Sequence, residues 1–245
     1  MSLGGLGRRI AYRIGPARAA LERRQRDRGV AFYRQFLGPG DLCLDIGANV
    51  GERCEMFRLT GAAVVAVEPQ KSAVAALDRR FADDPDVSIL SKGLGAEPGT
   101  ATLAISSADS TISEAWRSEG RFADSASWDD REEIEIVTLD ELIRQFGTPQ
   151  FCKIGVEGYE RQVIEGLNDP LPLISIEFTR EFIGNARRCL EVVAALGPIE
   201  TAVSLGERLR LDGPWRDPEA TLSALAARPE PDLWGDIYIR SEAQA

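Results

Sequence analysis

Histidine is missing from the 245-residue chain, and cysteine appears only at Cys43, Cys54, Cys152 and Cys189, with no CxxC pair. Zinc fingers and Ser-His-Asp or Cys-His catalysis are thereby excluded. Cys43 and Cys152 lie inside apolar runs, where a thiol behaves as a small hydrophobe, so a reduced, cytoplasmic protein is expected. Long apolar stretches are also lacking. The longest unbroken one, AAVVAV at 62–67, falls far short of the roughly 20 residues that cross a bilayer, and no transmembrane segment is expected. The start, MSLGGLGRR, has no apolar core followed by a small-residue cleavage site. Positive charge is scarce, with 29 Lys and Arg against 39 Asp and Glu and a net charge of −10. Such a field repels phosphate, so no nucleic-acid partner is expected.

What is present suits a globular chain: 44% hydrophobic and 28% charged residues, enough to build a core without metals or disulfides. Charge is uneven, because residues 1–40 carry nine Arg against only Glu22 and Asp27. From Ala17 to about Phe36 they read as a basic helix with Leu21, Val30, Phe32, Tyr33 and Phe36 as its apolar positions, ended by Gly38, Pro39 and Gly40. A solvated helix packed on the main domain is the favoured reading, and an arm for a partner or acidic lipid the sharper one. Residues 1–40 are therefore set apart from a main domain at 41–245.

Beyond Gly40, short apolar runs alternate with helical patterns. DLCLDIG, AAVVAVEP, VSILSKG, EIEIVTL, FCKIGVEG and LISIEFT read as strands, with helices after Gly51, over 72–81, over 159–167 and at about 185–196; ETAVSL and LWGDIYIR close the chain. Runs such as AAVVAV fit strands covered on both faces, which predicts an α/β, doubly wound, mostly parallel sheet. The polar stretch 106–133 reads either as a lid beside the site or as a solvated excursion.

Ligands of such sheets lie beyond the carboxyl ends of the strands. The first such end is LCLDIGANVGE, where Asp45 closes the strand, Gly47 permits a tight turn and Gly51 lets the next helix start close to the sheet. Asn49 stands where a dinucleotide loop has its second glycine, and Glu52 occupies the electropositive helix start that a diphosphate needs. A ligand without phosphate fits better. One strand later Glu68 ends VVAVEP, where a carboxylate can accept both hydrogens of a ribose diol. Asp45 and Glu68 together suit a positively charged nucleoside, and S-adenosyl-L-methionine carries a sulfonium and an ammonium. A glycine turn and a solvated strand-end Glu are the plain structural alternative.

The ordered set LDIGANVG (44–51), VVAVEP (64–69), SKGLGAEPGTATL (91–103), VTLDEL (137–142), KIGVEGYERQVIEGL (153–167) and GDIYIR (235–240) resembles the FkbM-type S-adenosylmethionine-dependent methyltransferases. The resemblance covers most of residues 41–240. It implies a class I methyltransferase fold, Rossmann-like, with a seven-stranded sheet, helices on both faces and a reversed final strand. It also implies methyl transfer to a hydroxyl of a small molecule, natural product or sugar. The cofactor-binding candidates are then Asp45, Gly47, Ala48, Asn49, Gly51, Glu68, Pro69, Lys92 and Gly93. One departure stands out: the family usually reads KIDVEG, and this chain has Gly155 in place of the aspartate. Shifted chemistry, an inactive relative or an engineered change would each produce it.

Without histidine, a base for an alcohol acceptor must be a carboxylate, Lys or Tyr. Glu157, Lys153 and Glu177 are the catalytic candidates, Glu157 first. Strand alternation puts Lys153, Gly155 and Glu157 on one face, with Lys153 further from the tip. Capping of the helix near Tyr159 weighs equally for Glu157, and Glu160 is expected on that helix's surface. No resident metal is expected, although Glu157, Glu177 and Asp45 leave a magnesium mechanism open. Two other functions compete with O-methyl transfer: a catalytically impaired cofactor-binding or scaffolding relative, motivated by Gly155, and a nicotinamide-dependent oxidoreductase. Self-association into a homo-oligomer is compatible with the sequence.

Overall fold

The computed structural model describes residues 16–106, 110–119 and 127–241. In chain order the elements are α1 (Pro16–Tyr33), β1 (Leu42–Ile46), α2 (Glu52–Arg58), β2 (Ala63–Val67), α3 (Lys71–Arg80), β3 (Val87–Leu90) and β4 (Gly93–Leu94). Next come β5 (Gly99–Ile105), β6 (Ser110–Thr111), α4 (Glu114–Glu119), β7 (Asp130–Val137), α5 (Leu139–Phe146), β8 (Phe151–Ile154) and α6 (Glu160–Ile164). The chain finishes with β9 (Leu173–Thr179), α7 (Ile183–Leu196), β10 (Ile199–Leu205), α8 (Pro218–Ala226) and β11 (Trp234–Ser241). No described helix is long and apolar enough to cross a membrane.

Seven strands form the main sheet in the order β10-β11-β9-β8-β1-β2-β3. The pairs among β9, β8, β1, β2 and β3 are parallel, whereas β11 runs antiparallel to both β9 and β10. This is the expected α/β sheet with its last strand reversed. Chain connections change direction at β1, which has β2 on one side and β8 on the other, so the crevice of a doubly wound sheet opens at the carboxyl ends of these strands.

Burial explains why the strands read as continuous apolar runs. Leu44, Ile46, Val65, Val67, Ile154 and Ile176 point into one buried cluster with α5, α6 and α7. Their neighbours Cys43, Val64, Ala66, Phe151 and Leu173 point into a second cluster with α1 and α2. Both faces are dry, so period-two alternation carries no polar signal.

The basic N-terminal helix is anchored by its last turn. Val30, Phe32 and Tyr33 are buried, and the Tyr33 ring meets Phe57 edge-on at 4.6 Å between centroids while Phe151 stacks near Tyr238. Leu21, earlier in the helix, is 65% exposed. Deleting an aromatic from such a cluster, as in Phe57→Ala, costs about 3–5 kcal/mol.

Two stretches depart from the sequence reading. EIEIVTL lies not in the main sheet but in a second sheet of order β4-β7-β5-β6, and its alternation reflects one covered face, with Ile134 and Ile136 against Leu103. Residues 106–133 are not a plain solvated excursion, since they contribute β6, α4 and the start of β7; residues 107–109 and 120–126 of this stretch lie outside the described residues.

Candidate active site

The loop after β1 is shaped by backbone. Gly47, Asn49 and Gly51 all have positive φ, at 81°, 47° and 83°, and Asn tolerates the left-handed region where most residues do not. Gly47 faces a second constraint, because a Cβ there would overlap the carbonyl oxygen of Gly155. The strand tips of β1 and β8 thus touch through two residues without side chains. Gly47 and Ala48 donate to the Val67 carbonyl at 2.9 and 3.1 Å, tying the loop to β2.

Glu68 completes that loop. One carboxylate oxygen accepts from the Asn49 N–H at 2.9 Å and the other from Gln70 N–H at 2.8 Å. Each oxygen keeps a further lone pair, so a diol can still be bound. Burial raises this carboxyl, and the two backbone bonds oppose the rise. A cavity of about 330 Å³ opens here, walled by Gly47, Asn49, Glu68, Pro69, Lys92 and Gly93 and closed by Leu103, Thr111 and Ile112 from the second sheet. Its size lies within the range of small-ligand sites.

Asp45 and Ala48 face a second cavity of about 360 Å³ instead, and Gly51 packs against Phe81 and Leu77 behind the loop. Asp45 and Glu68 therefore lie on opposite sides of the Gly47–Val50 turn rather than in one hollow. The two cavities share Gly47, Asn49, Val50, Gly155 and Glu157, so they meet at the touching tips.

Register explains the second cavity's wall. Asp45 pairs with Lys153, Lys153 with Ser175 and Ser175 with Tyr238 across the sheet, all on the face of α1 and α2. Two residues towards the tips, Glu177 pairs with Asp236, and Gly155 stands beside them with no side chain. Lys153 fills that gap: a Cβ on Gly155 would overlap Lys153 Nζ and lie 3.5 Å from Glu177 Oε2. Lys153 Nζ is 3.6 Å from Asp236 Oδ1. Burial alone would lower the Lys153 pKa, yet Asp236, Glu177 and Asp45 hold the ammonium above its ordinary value. Burial pushes Asp45 up to about 6 against the pull of Lys153 and Arg53, and its Oδ2 is buried with no hydrogen-bond partner among the described residues.

Glu157 sits at the junction with φ 51°, a left-handed conformation rare for a non-glycine residue. Its carbonyl accepts from Thr111 Oγ1 at 2.7 Å. It is not the cap of α6: that position belongs to Tyr159, without a side-chain cap bond. The turn is held by Glu160, which is 3% exposed and not on the helix surface as expected. Glu160 Oε1 accepts from the Val156 and Gly158 N–H groups at 3.1 Å each, and Oε2 accepts from Asn185 at 3.1 Å. Inward-pointing N–H groups of the tight turn draw the carboxylate in. Its pKa is raised by burial, against those bonds.

Sequence reasoning missed Asp236 and Arg53 as parts of this region, and it placed Glu160 here but on the helix surface. GDIYIR held the signal for Asp236, but only cross-sheet register reveals its neighbour. The TLDEL signature has a local reason: Thr138 Oγ1 accepts from Glu141 N–H at 3.2 Å while the Glu141 carboxylate accepts from Thr138 N–H at 3.0 Å, a capping box that starts α5. Among the described residues no three Asp, Glu or Cys side chains converge as a group able to hold a metal ion.

A family model described as the methyltransferase FkbM domain matches residues 45–196, more than half of the chain. The chain belongs to the FkbM methyltransferase family. Its cofactor is S-adenosyl-L-methionine. No curated protein matches. Solved structures similar to this FkbM-family chain include a precorrin-6y C5,15-methyltransferase from Geobacter metallireducens, at 10% identity and TM-score 0.46, covering 88% of this chain and 86% of that one. An rRNA methylase from Streptococcus thermophilus shows 10% identity and TM-score 0.43 over 86% and 93% of the two chains. Aeropyrum pernix fibrillarin with natively bound S-adenosyl-L-methionine shows 10% identity and TM-score 0.42 over 82% and 71%.

Proposed function

We propose that this methyltransferase transfers the methyl group to a hydroxyl oxygen of a small molecule, natural product or sugar. The observation that carries this reading is the meeting of two cavities at Gly47, Gly155 and Glu157. One is lined by the loop and Glu68, the other by charged side chains suited to an acceptor. The residues fit the cofactor: Glu68 retains acceptor capacity for the ribose hydroxyls, and the buried Asp45 Oδ2, without a hydrogen-bond partner among the described residues, suits the ammonium of the methionine end.

When bound, S-adenosylmethionine supplies a methyl group activated by a sulfonium. The chain's own contribution is largely positioning, which can be worth about 7–11 kcal/mol. Glu157, at the junction, accepts the proton of the acceptor hydroxyl, a role typically worth about 10²–10⁴-fold. Lys153, held as an ammonium, does not serve as a base; it donates to the acceptor oxygen and steadies Glu177 and Asp236. Glu160 is a positioning residue that holds the turn carrying Glu157. The carboxylate-rich wall speaks against a phosphate-backbone acceptor, and four free, buried cysteines support a reducing, cytoplasmic setting.

Gly155 motivates the rival reading of an impaired relative, but Lys153, Glu177 and Asp236 supply charge to the space its side chain would occupy. The test is methyl transfer by the full chain from labelled donor to a panel of alcohols, with stabilisation by S-adenosylhomocysteine measured alongside. Ligand at 100 times its dissociation constant adds about 2.7 kcal/mol. Stabilisation with turnover on an alcohol supports the reading. Stabilisation with turnover only on nitrogen, carbon or RNA overturns it, and stabilisation by NAD alone overturns the family's cofactor in this chain.

A further inference from the structure

A zwitterion needs both signs of charge in its site. The methionine end of the cofactor carries its ammonium and its carboxylate on one carbon, so Asp45 alone would attract the first while repelling the second. Asp45 lines the second cavity beside Gly47, Ala48 and Asn49, and the cations among the described residues that line it are Arg53 and Lys153. Lys153 is committed elsewhere: its Nζ fills the space beside Gly155 and lies 3.6 Å from Asp236 Oδ1. Arg53, in the first turn of α2 and two residues beyond Gly51, is close enough to Asp45 for its charge to pull that carboxyl down.

The Arg53 fork is only partly used. A guanidinium carries five N–H donors in a plane that matches a carboxylate through two parallel bonds. Among the described residues, Arg53 Nη2 donates to a single oxygen, Glu207 Oε2, at 2.6 Å, and Nη1 faces the Met56 sulfur at 3.9 Å, a weak acceptor. The two members of the ion pair are unequally held. The Arg53 side chain is 19% exposed, whereas that of Glu207 is 46% exposed at the cavity rim, in the turn after β10. Releasing Glu207 returns a carboxylate to water and gives up a pair of the kind that contributes little to stability, while the guanidinium stays in the wall.

We propose that Arg53 receives the carboxylate of the cofactor's methionine end, and that Glu207 is an internal stand-in which gives up the guanidinium when the cofactor binds. Asp45 and Arg53 then form a clamp, one group for each charge of the amino acid. The inference rests on the methyltransferase reading and deepens it by naming a cofactor-binding residue outside the glycine turn. It also gives the turn after β10 a role: Glu207 competes with the ligand, so this turn weakens cofactor binding by the strength of one exposed ion pair.

Calorimetric titration of the full chain with a matched pair of ligands tests it. One is S-adenosylhomocysteine, and the other is its decarboxylated form, S-adenosyl-3-thiopropylamine, which keeps the nucleoside and the amine. Arg53→Met should weaken S-adenosylhomocysteine at least about tenfold and the decarboxylated ligand by less than about twofold. Glu207→Gln should act the other way, tightening S-adenosylhomocysteine by about two- to fivefold and leaving the decarboxylated ligand unchanged; it keeps the test available if Arg53→Met does not fold. Equal loss of both ligands in Arg53→Met would mark a merely structural arginine and overturn the proposal, as would an S-adenosylhomocysteine affinity that either substitution leaves unchanged. Failure of the wild type to bind either ligand would instead sink the methyltransferase reading, so the two failures are read separately.

Discussion

Asp45→Asn should make the free protein more stable at neutral pH and weaken its grip on the cofactor. Burial lifts the Asp45 carboxyl from 3.8 to about 6, with Lys153 and Arg53 pulling the other way. The folded state therefore binds the proton more tightly than the unfolded chain. Stability from this group is full below about pH 4 and is lost as pH rises towards 6. At about 1.4 kcal/mol per tenfold change in proton affinity, the loss is about 3 kcal/mol. Asparagine keeps the shape and does not titrate. The variant should match the wild type near pH 4 and exceed it by up to about 3 kcal/mol above pH 6.5, a gain of about 6–12 °C in Tm for a chain of this size. Urea unfolding at half-unit steps from pH 4 to 8 reads the two curves. S-adenosylhomocysteine affinity should fall at least about tenfold, because the Oδ2 that would meet the ligand's ammonium, and that has no partner among the described residues, becomes neutral. In the wild type that affinity should rise as pH increases through 6, since the ligand's ammonium pairs with the ionised form. Parallel stability curves for the two proteins would refute the claim that Asp45 is a buried, cofactor-facing charge.

Glu160→Ala leaves the Val156 and Gly158 N–H groups without their acceptor; at about 1–3 kcal/mol for each unsatisfied donor, a loss of about 2–6 kcal/mol is expected in urea unfolding. Turnover should fall more than cofactor affinity, because the turn that carries Glu157 loosens; unchanged stability would mean that the turn holds without it. Gly47→Ala places a methyl group in a left-handed position and against the Gly155 carbonyl, so about 2–4 kcal/mol of stability and most cofactor binding should go; normal binding by calorimetry would contradict the close approach of the two tips. Gly155→Asp should fold, since φ there is outside the left-handed region and the nearest atom is the far end of the long Lys153 side chain. It should leave S-adenosylhomocysteine affinity within about threefold and lower turnover about tenfold by drawing Lys153 aside, the cost of about one charge-assisted hydrogen bond. A rise in turnover would instead mark Gly155 as the lesion of an impaired relative.

The sequence made the crevice legible wherever function is written in consecutive residues. LDIGANVG became the β1 tip and its left-handed turn, and VVAVEP placed Glu68 on that turn's backbone. These features are local, so spacing suffices to find them. The wall of the acceptor cavity was less legible because it is a row across the sheet: Asp236 faces Glu177 through the antiparallel register of β11 with β9, some 59 positions away in sequence. Glu160 was misread for a related reason. Helical spacing says which residues share a face, but not that a tight turn upstream would turn its N–H groups towards that face. EIEIV has the period of a half-covered strand in any sheet, so its place in the smaller sheet could not be read from alternation.

The central claim is that a positively charged nucleoside lies across the tips of β1, β2 and β8 with its reactive centre at the junction of the two cavities. A crystal structure with S-adenosylhomocysteine tests it most directly. The account predicts ribose hydroxyls on the Glu68 carboxylate, the amino group beside Asp45, and the sulfur facing Gly155 and Glu157. A ribose held away from Glu68, or a sulfur turned from that junction, would contradict it.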